Sequence, residues 1–582
     1  MEQATPWAFL ADYQGKYFSG EWPTLPELFR ITAARHPDRP CFTVYAPQRV
    51  TLTYREALAA VEKLAAYLAS RGYRRGDMIA VTGKNSPEWA VAYLAVMAAG
   101  ATVVPIDYQL SQAEIDNIIR ASDAKAVFVD EEKFDACDPS RLGLKARWSL
   151  SKAKPGYAYD LAAEATAGDK PAAGDKPAGG KSGPAIDPAR EDDLAAILFT
   201  SGTTGVPKGV MLTHANFVAD CFLAQDNLAI YPTDVFYALL PIHHSYTMLA
   251  VFIEAISVGA ELVFGQRMVT SAILKDLKEA KVTMFLGVPL LFNKVLAGIM
   301  KGIKAKGPLV SGVLGFLMAV SGVIKKLFKV NPGKKLFGTV LDKASLRTIR
   351  ICISGGGPLA PSVFRKYNQL GIDFVQGYGL TETSPILTLN PTEAYKETSV
   401  GKLIPRVEMR ILDPDADGRG EIAVKGPMVM RGYYKNPQAT AEVFTEDGWF
   451  KTGDVGYLDA DKYLYLTGRA KNLIVTEGGK NVYPEEIENR FQLFAEVEQV
   501  LVRGYVLDKR ERSEGIEALI YPAKEWFDQN SAEADDVEAR IRHVVDEVNA
   551  GMLPYQRINK VTVLEEPLEM TTTKKVKRHV LG

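Results

Sequence analysis

The sequence predicts an α/β fold: a large N-terminal domain, residues 1–468, with parallel-type sheets flanked by helices, and a small α+β C-terminal domain, residues 469–582. Helical and strand-like apolar segments alternate through residues 53–106, which is how a parallel sheet with crossover helices reads. Two later apolar runs, Leu194 to Phe199 and Ile349 to Ser354, each open into a glycine-rich loop, and open α/β sheets hold ligands at such strand ends. After about Gly420 the texture changes to short strands and turns, then to Glu- and Lys-rich segments that read as helical, so a separate C-terminal domain is expected from Arg469. A chain of 582 residues also implies several cores or one large composite core.

Taken in order, Thr53 and Glu56 form a capping-box pair, and Tyr54, Ala57, Leu58, Val61, Leu64, Ala65 and Leu68 recur at helical spacing until Gly72. Met78 to Thr82 reads as a strand. Asn85-Ser86-Pro87 starts a second helix that ends near Gly100, and Ala101 to Ile106 is the next strand. Residues 165–188, with the near-repeat A-G-D-K-P-A-A-G-D-K-P-A-G-G, bury little apolar surface and read as a solvated, flexible insertion without chemistry. A second insertion, 301–345, is apolar and basic.

Lys plus Arg number 69 against 70 Asp plus Glu, so no overall field draws the chain to nucleic acid. Cys41, Cys137, Cys221 and Cys352 lack metal-ligand or disulfide-framework spacing, which fits a reducing compartment. The first 18 residues, with Glu2 and Asp12, do not read as a secretory signal, and a cytoplasmic location is expected.

The strongest chemical signal is the run Phe199-Thr200-Ser201-Gly202-Thr203-Thr204-Gly205-Val206-Pro207-Lys208-Gly209, directly after a buried strand. Its glycines let backbone N–H groups approach anionic oxygens, its hydroxyls donate further bonds and Lys208 adds a cation, so it suits phosphate. The spacing is not that of a Walker A loop. At these residues the chain resembles the adenylate-forming superfamily of acyl-CoA synthetases, aryl-CoA ligases, luciferases and peptide-synthetase adenylation domains. Gly355-Gly356-Gly357-Pro358-Leu359 resembles the family's second nucleotide loop, and Gln376-Gly377-Tyr378-Gly379-Leu380-Thr381-Glu382-Thr383 its most diagnostic run. The resemblance spans Leu25 to the C-terminus. It implies an N-terminal domain of several subdomains with a small barrel-like part, a mobile C-terminal domain, and ATP, Mg²⁺ and CoA as the small molecules handled.

Within those motifs Tyr378 offers a flat face to adenine, between glycines that let the backbone approach the base. Thr381 can donate to the α-phosphate, and Glu382 is a hard oxygen ligand for Mg²⁺. Thr452-Gly453-Asp454 and Arg469 resemble the pair that holds the ribose hydroxyls, brought together by a hairpin through Gly456–Leu458 and Tyr463–Leu466. Gly468-Arg469-Ala470-Lys471-Asn472 matches the family hinge, with Lys471 the pivot. Gly478-Gly479-Lys480-Asn481-Val482-Tyr483-Pro484 resembles the loop that meets the thiol after domain rotation. The family's terminal catalytic lysine aligns with Lys575, with Lys574 in place of the preceding glycine, so Lys574 remains the alternative. In Leu240-Pro241-Ile242-His243-His244-Ser245-Tyr246 the match carries the family's site histidine onto His244. Adjacent histidines on a strand point to opposite faces, so one of the two is expected to face the site.

Gly307 to Ile324 carries no charge, and eight lysines with no acidic residue lie between Lys301 and Lys335. A spanning helix is rejected, because four glycines dilute it and crossing would separate the two nucleotide loops. The segment suits an interfacial helix on anionic lipid; core packing with solvated lysines is the alternative. Its position resembles the insertion of long-chain fatty acyl-CoA synthetases. The combined reading is an AMP-forming ligase joining a fatty acid, expected to be long-chain, to CoA through a bound acyl-adenylate, with contact to the inner membrane face through 301–335. The pantetheine thiol of an acyl carrier protein is the alternative acceptor, and a non-catalytic membrane-associated fatty-acid carrier is the reading from another class.

Overall fold

The computed structural model describes residues 5–167, 186–200, 207–265, 269–476, 479–508, 513–530, 536–570, 576 and 578. Most of the flexible insertion expected at 165–188 lies outside them, as do residues 201–206 of the expected phosphate loop.

The helices begin where side chains can satisfy their free N–H groups. Thr53 and Glu56 exchange both bonds of a capping box ahead of helix Tyr54–Ser70, and Thr24 with Glu27 does the same for Leu25–Arg35. Ser86 caps helix Pro87–Ala98, which carries proline in its first turn. Every residue from Trp89 to Ala98 in this helix is buried, because it lies in a core shared by two sheets. The Trp89 and Tyr93 rings stack at 5.0 Å, and Phe252 meets Tyr93 edge-on at 5.6 Å.

One sheet orders its described strands as Ala146–Ser149, Ala124–Val129, Met78–Thr82, Thr102–Ile106, Leu194–Thr200 and Lys208–Thr213. The pairs are parallel except the last, in which Thr200 faces Lys208. The other sheet runs Lys402–Leu403, Ile386–Leu389, Asp373–Gly379, Ile351–Ser354, Met284–Gly287, Val235–Ala238, Glu261–Phe264, Pro40–Val44 and Val50–Thr53, parallel in its middle and antiparallel at both edges. Ile351–Ser354 and Asp373–Gly379 are neighbours in register, Ser354 opposite Gln376, so the two glycine-bearing motifs leave the sheet at the same end.

A small antiparallel sheet, Glu408–Leu412, Gly420–Lys425, Phe450–Leu458 and Leu464–Arg469, follows. Beyond it the hairpin Val497–Asp508/Ser513–Pro522 and the parallel strand Lys560–Val563 pack against helices Pro484–Phe491 and Val537–Ala550 over Ile487, Phe491, Val502, Ile516, Ile520, Ile541 and Val544. This long hairpin corrects the expectation of helical segments to the end. Val500-Leu501-Val502 and Ala518-Leu519-Ile520 are short continuous apolar runs, the pattern of strands buried on both faces, set inside a Glu-rich composition. The strand expected from Ile349 starts two residues later, at Ile351.

Helix Pro308–Phe328 occupies the basic insertion. Met318, Ser321 and Lys325 form its buried stripe, and the Lys325 ammonium donates to Asn368 Oδ1 and Asp373 Oδ1, each at 2.6 Å.

Candidate active site

A cleft of about 1760 Å³ is lined by Thr200, Lys208, His244, Gly355, Gly356, Gly357, Gln376, Gly377, Tyr378, Thr381, Glu382, Asp454, Arg469 and Lys471. Side chains separated by up to 271 positions in the sequence thus share one wall. Ser201, Gly202, Thr203, Thr204, Gly205, Gly478, Lys574 and Lys575 lie outside the described residues. Gly479, in the left-handed region at φ +68°, is not part of the lining.

The Tyr378 hydroxyl donates to Asp454 Oδ2 at 2.7 Å, and Arg469 Nε donates to Asp454 Oδ1 at 2.8 Å. Strand pairing puts Asp454 directly opposite Arg469, as the hairpin spacing led us to expect. Burial and the Asp454 charge push the Tyr378 phenol well above its ordinary pKa, so it stays a donor; Asp454 in turn raises Arg469. Gly379, on one side of Tyr378, has a nearer cause than a ligand. A Cβ at Gly379 would stand 1.5 Å from the Pro385 carbonyl oxygen, so glycine is demanded by the strand that folds back beside it.

Thr381 and Glu382 occupy a short 3₁₀ turn, Thr381–Thr383. The Thr381 hydroxyl lies 3.1 Å from that of Ser245, and Glu382 Oε1 accepts from the Tyr433 hydroxyl at 2.9 Å. The Lys208 ammonium sits 5.0 Å from the Tyr433 ring centroid, so Tyr433 links Lys208 to Glu382. With a neutral donor on one oxygen and no ion pair among the described residues, the Glu382 carboxylate fits a hard divalent cation. Sequence reasoning missed Tyr433, which sits in an irregular segment; only its aromatic neighbour Tyr434 marks the place.

The two histidines differ from expectation. His243 and His244 sit in a turn, not a strand, with the His244 N–H bonded to the Pro241 carbonyl at 3.3 Å, so alternation does not apply. Both line the cleft, and their Nε2 atoms lie 3.4 and 4.0 Å from Asp107 Oδ2. Asp107 directly follows strand Thr102–Ile106, a strand-end position that could have marked it.

Ala224, Leu228, Ile230, Phe236, Ala250 and Met284 give the cleft an apolar part, and one carboxyl interrupts it. Glu254 is buried, and Gln225 Nε2 donates to its Oε2 at 2.7 Å. Burial raises its pKa to about 8 despite the Gln225 and Cys221 hydrogen bonds, so it is neutral at neutral pH. Because the folded value lies above the unfolded one, the fold keeps this proton while the unfolded chain loses it. Stability therefore falls as pH rises from about 4.5 to 8 and levels off above, at about 1.4 kcal/mol per pH unit. Glu254→Gln removes this slope. Its Tm relative to wild type is expected to climb steadily between those pH values and then stay constant; a difference independent of pH would contradict the assignment.

At the expected hinge, Lys471 lies in the turn Ala470–Asn472 with much of its side chain in solvent, and partial desolvation of the ammonium together with the charges of Arg469 and Arg578 pulls its pKa down. Asn472 Nδ2 donates to Glu485 Oε1 at 2.5 Å. Arg578 pairs with Glu488 at 2.5 Å, approaches Glu485 at 3.6 Å and donates to the Val502 carbonyl at 2.8 Å. Burial lifts Glu488 to about 7 even beside Arg578. Val576 and Arg578, which follow the terminal lysine motif in sequence, thus line the cleft, and Arg578 is held by Glu488 and the Val502 carbonyl.

A family model described as "AMP-binding enzyme" matches residues 29–434. The chain is 31% identical to the long-chain-fatty-acid–CoA ligase FadD15 of Mycobacterium bovis, with 91% of this chain and 90% of that protein covered. It is 30% identical to a feruloyl-CoA synthase of an Amycolatopsis species, over 90% of this chain and 91% of the other. Among solved structures, ATP-bound MatB from Rhodopseudomonas palustris superposes with a TM-score of 0.73 at 27% identity, covering 96% of this chain and 98% of that one.

Proposed function

The chain belongs to the AMP-binding enzyme family of adenylate-forming acid–thiol ligases, and on that premise we propose that it joins a fatty acid, long-chain in preference, to CoA with cleavage of ATP to AMP and pyrophosphate. The observation that carries this reading is the convergence of Lys208, Tyr378, Thr381, Glu382, Asp454 and Arg469 on one cleft that continues into an apolar part. Support for a fatty acid comes from that lining and from similarity to a long-chain ligase, while the likeness to a feruloyl-CoA synthase makes an aryl acid the competing substrate.

In the first step the acid's carboxylate oxygen attacks the ATP α-phosphorus, a P–O bond forms, and the bond to the β-phosphate breaks as pyrophosphate leaves. Asp454 and Arg469 hold the ribose, Tyr378 lines the adenine, and Thr381 with Lys208 donates to phosphate oxygens, so the reacting atoms meet at high effective concentration. His244, steadied with His243 by Asp107, lies beside the acid's carboxylate. Glu382 would hold Mg²⁺, which supplies charge neutralisation for the departing phosphates when bound. Lys575 donates to the charge that develops between carboxylate and α-phosphate. In the second step residues 469–582 turn about Lys471, bringing the loop at Gly478 and Gly479 to the thiol. Sulfur attacks the acyl carbon, the C–O bond to AMP breaks, and the thiol proton passes to solvent. No cysteine takes part, since all four are buried and free, outside the matched motifs.

Pantetheine is the reactive arm of both CoA and acyl carrier protein, so the carrier protein is the second candidate acceptor. An acid of this kind reaches the enzyme from a lipid phase, and the insertion 301–345 is the surface that would meet it. The test is AMP release with CoA or acyl carrier protein across fatty acids of graded length and hydroxycinnamates. We expect saturation at low concentration with long chains and CoA; saturation only with aryl or short acids would overturn the chain-length assignment and leave the ligase standing.

A further inference from the structure

We infer that the outward face of helix Pro308–Phe328 is a docking surface for an anionic lipid bilayer, on which the protein rests without being spanned. The inference stands on surface chemistry alone and does not depend on the ligase reading. The helix is 21 residues long, about 32 Å. Its outward stripe, Leu309, Val313, Phe316, Val323 and Leu327, repeats at alternating steps of four and three, or whole turns of them. Leu309 is 81% exposed, Phe316 68%, Leu327 68% and Phe328 69%, and Val313, Val323 and Val330 are exposed as well. Scattered apolar side chains are ordinary on a surface; a stripe along a whole helix marks a partner.

Charge decides which partner. No Asp or Glu occurs from Ala280 to Leu341, and Lys301, Lys304, Lys306, Lys326 and Lys335 are exposed without an ion-pair partner among the described residues. An anionic bilayer accepts both features at once, apolar side chains at the acyl boundary and ammonium groups among the headgroups. A second copy would set lysines against lysines across a two-fold contact, which disfavours self-association. Spanning is opposed by the inner stripe. The buried Lys325 is tied to Asn368 on helix Pro361–Gln369 and to Asp373 at the start of the strand that carries Gln376 to Gly379. The docking helix is therefore fixed to the wall of the cleft, and the cleft keeps a set orientation to the membrane.

The experiment is flotation of the full chain, without ATP or acid, on vesicles of phosphatidylcholine alone or mixed with phosphatidylglycerol, at low and high salt. Wild type is expected to float with the anionic vesicles at low salt, and at least about tenfold less with neutral vesicles or at high salt. Phe316→Glu/Leu327→Glu changes two exposed side chains, so its Tm should match wild type while flotation drops at least about tenfold. Lys301→Gln/Lys304→Gln/Lys306→Gln should erase the preference for anionic lipid. Absence of wild-type flotation, or equal flotation of the double variant, would overturn the proposal. So would a wild-type dimer that the double variant dissolves without any vesicle binding, because it would assign the face to a second copy.

Discussion

Replacing Lys575 with alanine is expected to lower acid-dependent adenylate formation by two to three orders of magnitude, about 2.7–4 kcal/mol, the range for removing one charge-stabilising donor from a reacting oxyanion. Transfer from a pre-formed acyl-adenylate to CoA should stay within about twofold, since the tail lysine acts before the domain turns. Single-turnover measurement of each half-reaction separates the two. Lys574→Ala serves as the control, expected near wild type in both. If Lys574→Ala shows the loss instead, the alignment is displaced by one residue; if neither does, the tail has no catalytic part. The geometry that motivates this test is the position of Val576 and Arg578 on the cleft wall, with Arg578 held by Glu488.

Glu382→Gln is expected to reduce adenylation by a similar factor, about 10²–10³, and to abolish its saturation by magnesium. The amide keeps an oxygen that can accept from Tyr433, whose hydroxyl stands 2.9 Å from Glu382 Oε1, so the local fold persists and only the charge is lost. Tyr433→Phe keeps that charge and should cost about tenfold, the low end of the range for one hydrogen bond to a charged group. A magnesium titration of adenylation in all three proteins is the measurement. Unchanged magnesium saturation in Glu382→Gln would remove Glu382 from the metal site.

Local chemistry decided how much could be read from the sequence. The capping box at Thr53 and Glu56, the proline start at Pro87 and the two apolar strands that open into glycine loops were legible because each rests on neighbours within a few residues. The Asp454–Arg469 pairing was legible because a hairpin fixes which residues face one another. Tyr433 and Asp107 were not, since their meaning depends on contacts with Glu382 and the histidines far away in the chain. The histidine pair misled for the opposite reason: a strand's alternation was applied to a turn. Glu254 is the one charged side chain in the apolar segment Ser245–Val258, and its raised pKa exists only once that segment is buried with Gln225 and Cys221 against an apolar wall. Gly379, beside Tyr378, is demanded for a different physical reason, the close return of the chain at Pro385.

The most direct measurement of the central claim is exchange of labelled pyrophosphate into ATP by the purified chain, with magnesium present and thiol absent. If the gathered loops activate a carboxylate as its mixed anhydride with AMP, exchange appears only when a suitable acid is added and disappears when either ATP or magnesium is withheld. ATP binding without exchange, across apolar acids of every length and aryl acids alike, would contradict the account.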